Sequence, residues 1–167
     1  MKQIINITVN HRHYELAVEP RRTLTELIRY DIGLTGTKIG CALGDCGACN
    51  VLINGETAFS CLVLAVEADG AEIITIESLS ENGKLHPLQQ AFVDLGAIQC
   101  GFCTPGMVLT SLDLLLTNPD PTEDEVRRAL SGNLCRCTGY QKIVEAVIEG
   151  GRRMRDQQTV EANKAVI

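Results

Sequence analysis

Eight cysteines, arranged in two sets of four, constrain this 167-residue chain more than any other feature. Cys41, Cys46, Cys49 and Cys61 form C-x4-C-x2-C-x11-C, and Cys100, Cys103, Cys135 and Cys137 form C-x2-C-x31-C-x-C. Four soft sulfur ligands are what a structural zinc ion or an iron–sulfur cluster takes from a protein, and no cysteine is left over. The fold must therefore fold back twice to gather four thiols. Four disulfides are the competing use. Disulfide-dense scaffolds, however, are small exported domains, and Met1 to Asn6 leads into neither a long apolar run nor a small-residue cleavage site. Reduced thiols and a cytoplasmic location are expected.

The pattern up to residue 78 is that of strands with one short helix. Ile5, Ile7 and Val9 alternate with polar residues, a turn follows at Asn10 to Arg12, and Tyr14, Leu16 and Val18 alternate again. Thr23 and Glu26 form a capping box ahead of Leu24, Leu27 and Ile28, a short helical face. Residues 50–53 and 56–60 flank Asn54-Gly55, a strong hairpin signal, and their return brings Cys61 back toward Cys49. Glu72 to Ile76 supplies another strand. The polar segment Ser78 to Lys84 reads as a linker.

After the linker the pattern is helical. Helices are expected over Pro87–Ile98, 105–117, from a Thr122 cap to Gly132, and over 140–154, with a loose polar tail beyond. Thr104 is expected to cap the second of these with Pro105 in its first turn, aiming free N–H groups at Cys100 and Cys103 and favouring thiolate there. The expected class is α+β, with residues 1–78 forming a ferredoxin-like β-grasp domain. Residues 79–155 form a four-helix bundle, and 156–167 a polar tail.

The C-x4-C-x2-C start is that of plant-type [2Fe–2S] proteins, and glycines 40, 44 and 47 let a backbone close round a cluster. Spacing alone leaves zinc open at both sites. A Rieske centre is excluded because His11, His13 and His86 lie far from the cysteine pairs. A net charge of −6 without a basic cluster argues against nucleic acid. The apolar run from Met107 to Leu116 is interrupted by Thr110, Ser111 and Asp113, and is far short of the roughly 20 residues that a membrane span needs.

Three stretches carry a family resemblance: Gly40-Cys41 through Gly44-Asp45-Cys46-Gly47-Ala48-Cys49, Gln99-Cys100-Gly101-Phe102-Cys103-Thr104-Pro105-Gly106, and Gly132-Asn133-Leu134-Cys135-Arg136-Cys137-Thr138-Gly139-Tyr140. In these the chain resembles the small iron–sulfur subunit of the molybdenum hydroxylases, the xanthine dehydrogenase and aldehyde oxidoreductase family. The resemblance spans residues 3 to about 150. It implies two [2Fe–2S] clusters, one on each cysteine set, that pass electrons between a molybdenum cofactor and FAD on partner subunits. It also implies a large molybdenum-cofactor subunit, a flavin subunit and a dimer of heterotrimers. Gln99 and Cys137 match positions that approach the pterin of the molybdenum cofactor in the family. Arg136, between two ligands, has two readings: a charge that biases the cluster, or an ordinary salt bridge. No catalytic acid, base or nucleophile is assigned to the chain. A zinc-stabilised scaffold and a free-standing ferredoxin-like carrier are the rival readings.

Two complete cysteine sets predict about four irons and four acid-labile sulfides per chain, two of each per cluster. Iron and sulfide analysis of the purified protein checks this, and a colourless zinc protein would refute it.

Overall fold

The computed structural model describes the backbone of residues 1–164 and the side chains of residues 1–157. Strands β1 (Gln3–Val9) and β2 (Arg12–Val18) pair antiparallel along their whole length, from Gln3 against Val18 to Val9 against Arg12. Asn10 and His11 make the turn with φ of 51° and 63°, the primed geometry whose twist matches a hairpin. Alternation puts Ile5, Ile7 and Val9 inside. At the entry to α1 (Leu24–Glu26) the Thr23 hydroxyl accepts from the Glu26 N–H, while the Glu26 carboxylate accepts from the Thr23 N–H. The helix continues as a wider turn over Leu27–Asp31, burying Leu24, Leu27 and Ile28.

β3 (Asn50–Ile53) and β4 (Glu56–Phe59) form the second hairpin across Asn54-Gly55, and β5 (Glu72–Ile74) completes a five-stranded sheet in the order β2-β1-β5-β3-β4. β1 and β5 are parallel and the other pairs antiparallel, so the sheet is mixed. β5 stops at Ile74, short of the expected Ile76, because the chain turns into a tight helical segment at Ile76–Leu79.

Four helices follow: α2 (Pro87–Asp94), α3 (Thr104–Thr117), α4 (Glu123–Ala129) and α5 (Gln141–Lys164). The Thr122 capping box starts α4 as expected. α2 is shorter than its apolar pattern, ending ahead of Gly96, whose φ is +67°. α3 begins one residue earlier than anticipated. Cys103 already has helical φ and ψ and its carbonyl accepts from Met107 N–H, so Thr104 lies inside the helix and makes no cap.

The expected polar tail is also corrected as far as Lys164, since α5 runs on through it. Glu149 pairs with Arg152 and Arg153, Arg152 with Asp156, and Arg153 with Asp94 on α2. Polar residues at i, i+3 and i+4 thus lace a helix together instead of leaving it loose. The last part of the expected tail, residues 165–167, lies outside the described residues.

The sheet is covered on both faces. Val51 and Ile73 face an apolar cluster with Ile5, Ile7, Leu24, Leu27 and Ile28. Their neighbours Leu52 and Ile74 face the opposite way, onto Phe92, Met107, Leu109, Leu112 and Ile143 of the helical half. The α3 carboxylate of Asp113 accepts from both the N–H and the hydroxyl of Thr57 on edge strand β4 (3.1 and 2.6 Å). Sheet and helices therefore share one buried seam, and Leu52→Ala should destabilise the protein by about 2–5 kcal/mol through the cavity it opens there. Thermal or urea unfolding of wild type and variant checks this.

Candidate metal centres

The N-terminal thiols gather on the loop that joins α1 to β3. Arg29 pins the loop entry by donating to the carbonyls of Thr35 and Thr37, and Lys38 N–H closes its base on Ala48 O at 3.1 Å. Cys41 Sγ then accepts from the N–H groups of Leu43 and Asp45, each at 3.3 Å, and Cys46 Sγ accepts from Cys41 N–H at 3.4 Å. These backbone donors pull the Cys41 pKa down to about 6, stabilising thiolate. A Cβ at Gly40 would lie 2.7 Å from Cys46 Sγ, so only glycine admits the sulfur there. The β3–β4 hairpin returns Cys61 to the neighbourhood of the buried Cys49 thiol. Burial, with Cys61 and Cys46 beside it, pushes Cys49 up to about 12.

The C-terminal thiols meet where the turn before α3 faces the turn after α4. Cys100 and Cys137 are exposed, with their sulfurs 3.5 Å apart. Cys103 and Cys135 lie deeper, with each thiol felt by the other. Burial pushes Cys103 up to about 12, and the Cys135 and Cys100 thiols reinforce it, so the helix N-terminus does not by itself supply the thiolate expected at this position. At Cys135 burial pulls upward too, but the Thr138 hydroxyl and the backbone N–H groups of Thr138 and Cys137 outweigh it and the net shift is downward. A buried thiol raised this far ionises at neutral pH only against a cation, and binding a metal displaces its proton.

All eight cysteines are free of disulfides. Within each set the cysteines are neighbours: Cys46 Sγ accepts from Cys41 N–H and both Cys61 and Cys46 act on Cys49, while Cys100 lies against Cys137 and both Cys135 and Cys100 act on Cys103. Among the described residues, no three His, Cys, Asp or Glu side chains converge tightly enough to hold a single metal ion. Four thiols in each set are the number that a dinuclear cluster, in which two irons share four protein sulfurs, takes from a protein.

The two sets touch through backbone. Leu134 N–H donates to Cys46 O at 2.9 Å, and the buried Asn133 amide donates to Gly47 O at 3.3 Å. A Cβ at Gly106, in the first turn of α3, would overlap the Gly47 carbonyl. Asn133, Leu134, Thr138 and Tyr140 were not singled out from sequence as site residues. Their sequence signal is membership of the Gly132–Tyr140 stretch around the C-x-C pair, which assigns none of them a role. Gln99 is exposed beside Cys100, in the turn between α2 and α3, and Arg136 is exposed and forms no salt bridge among the described residues.

Paired thiols, sulfur-directed N–H groups and a glycine cradle define an iron–sulfur protein with two centres. Family models agree: residues 7–78 match a 2Fe-2S iron-sulfur cluster binding domain and residues 75–148 a [2Fe-2S] binding domain. The chain is 51% identical over 146 residues to the nicotinate dehydrogenase small FeS subunit of Eubacterium barkeri, covering 87% of this chain and 93% of that one. It is 46% identical over 147 residues to the xanthine dehydrogenase iron-sulfur-binding subunit of Escherichia coli O157:H7, covering 87% and 92%. It superposes on a chain of quinoline 2-oxidoreductase from Pseudomonas putida 86 with a TM-score of 0.90 and 47% identity, covering 93% of this chain and 97% of that one. The chain belongs to the small [2Fe–2S] subunits of the molybdenum hydroxylase family.

Because the two thiol sets share no residue, Cys46→Ser should remove or alter the N-terminal cluster signal in electron paramagnetic resonance and leave the other in place. Loss of both signals from a folded chain would refute two separate sites.

Proposed function

We propose that this chain relays electrons from a molybdenum site to FAD or another acceptor, holding one [2Fe–2S] cluster on Cys41, Cys46, Cys49 and Cys61 and another on Cys100, Cys103, Cys135 and Cys137. When bound, each cluster supplies one-electron carrying capacity. The chain itself does the holding, burying and aligning. The observation that carries this reading is the 2.9 Å bond from Leu134 N–H to Cys46 O, which joins the peptide of one ligand set to the residue next to a ligand of the other. Covalent bonds and one hydrogen bond thus connect the two centres without crossing solvent.

In this reading residues 1–78 act as a ferredoxin-like β-grasp domain and residues 79–155 as a helical-bundle domain. The shared seam described above keeps them in register. The exposed C-terminal pair, Cys100 and Cys137, faces the large molybdenum subunit. Exposed Ile98, Phe102 and Leu134 surround it and supply apolar surface for that contact. Exposed Leu43 and Leu62 border the N-terminal loop and serve the flavin-side partner. The assembly is a dimer of heterotrimers in the cytoplasm. Among the described residues no helix is long and apolar enough to cross a membrane.

The named relatives are subunits of nicotinate and xanthine dehydrogenases, which supports a complexed relay over a free carrier. Gln99 and Cys137 contact the pterin of the partner's cofactor, with Cys137 serving also as a ligand. Gln99→Ala removes an amide and no thiolate, so both clusters should persist. The partner group left unpaired should weaken the interface by about 1–3 kcal/mol. Single-turnover reduction of the C-terminal cluster by substrate in the reconstituted complex should slow, or molybdenum occupancy should fall. Unchanged rate and occupancy would refute the contact.

A further inference from the structure

The turn that carries Cys135 and Cys137 is closed by three hydrogen bonds that no ligand assignment requires. Cys135 N–H donates to the Tyr140 phenol oxygen at 2.8 Å, and Tyr140 N–H donates to Thr138 Oγ1 at 3.2 Å. Thr138 Oγ1 also lies 3.1 Å from Cys135 Sγ. Tyr140 adopts a φ of +68°, a left-handed conformation that is unusual for a tyrosine. It follows Gly139 at the same φ. The chain therefore doubles back so that the tyrosine's two ends grip Cys135 and Thr138, while its ring packs on the helical core.

The direction of the Thr138 contact follows from proton counting. A hydroxyl has one proton and two lone pairs. One lone pair takes the Tyr140 N–H, and a metal-bound thiolate has no proton to give, so the O–H donates to Cys135 Sγ. We infer that Thr138 tunes the C-terminal cluster by donating this O–H···S bond to its ligand Cys135, with Tyr140 as the positioning residue that aims the hydroxyl. The inference rests on Cys135 being a cluster ligand, as proposed above. A donor on a ligand sulfur draws electron density from it and favours the reduced, more negative state, which raises the reduction potential. At the N-terminal centre, Cys41 and Cys46 receive backbone N–H groups instead. Those donors cannot be deleted by side-chain substitution, whereas Thr138 can.

The test is a redox titration of the assembled complex, following both cluster signals by electron paramagnetic resonance in wild type, Thr138→Val, Thr138→Ala and Thr138→Ser. The hydroxyl-free variants should keep both clusters and shift the C-terminal midpoint to lower potential, with the N-terminal midpoint unmoved. Thr138→Ser should restore the wild-type value. A loaded C-terminal cluster whose midpoint is the same in Thr138→Val or Thr138→Ala as in wild type overturns the inference, as does an equal shift in Thr138→Ser. If both hydroxyl-free variants fail to load the cluster while Thr138→Ser loads it, the hydroxyl builds the site without tuning it, which also overturns the inference. A wild-type complex with no second cluster signal would instead overturn the ligand assignment, and this inference with it.

Discussion

The close backbone contact between the two cysteine loops is the constraint on which the rest of the structure depends. Gly47 O lies against Gly106 and accepts from Asn133, and Cys46 O accepts from Leu134 N–H. Any side chain at Gly106 would drive the loops apart. The mixed sheet, with Leu52 turned into the helical core and Asp113 holding the β4 edge, fixes the orientation in which this contact closes. A relay needs its two carriers at a constant short separation, and the shared seam supplies that constancy.

The thiols divide the electrostatic work. Near the surface, Cys41 is stabilised as thiolate by Leu43 and Asp45 N–H groups. Deeper in, Cys49 and Cys103 are pushed far toward the neutral thiol by burial and by neighbouring cysteines. An iron held by these two thiols would reverse that balance by displacing their protons. The exposed thiols at the C-terminal centre, Cys100 and Cys137, leave it open to a partner, as a relay requires.

The elements that local chemistry specifies were legible in the sequence. The Thr23–Glu26 and Thr122–Glu125 capping boxes, the Asn54-Gly55 hairpin and the β1 alternation all appear where the residues put them. Within each cysteine set the structure places neighbours, Cys46 Sγ on Cys41 N–H and Cys137 Sγ 3.5 Å from Cys100 Sγ. Most of what escaped depends on contacts distant in sequence. Thr104 reads as a cap, but the Gly101–Thr104 turn already sets the Cys103 backbone helical and puts Thr104 inside α3. The polar stretch from Arg155 reads as a tail, yet α5 runs on through it to Lys164, with Asp156 tied back to Arg152 and Arg153 tied to Asp94 on α2. Asn133 and Leu134 carry no ligand chemistry, and their role emerges only when Cys46 and Gly47 arrive opposite them.

The proposed relay requires two [2Fe–2S] centres held in fixed, close apposition by one chain. The most direct test is low-temperature electron paramagnetic resonance of the fully reduced protein, with both centres paramagnetic. Two signals that split or broaden one another through mutual spin coupling, and lose that splitting when only one centre is reduced, are predicted. Two signals with no mutual interaction, or a single signal, would contradict the account.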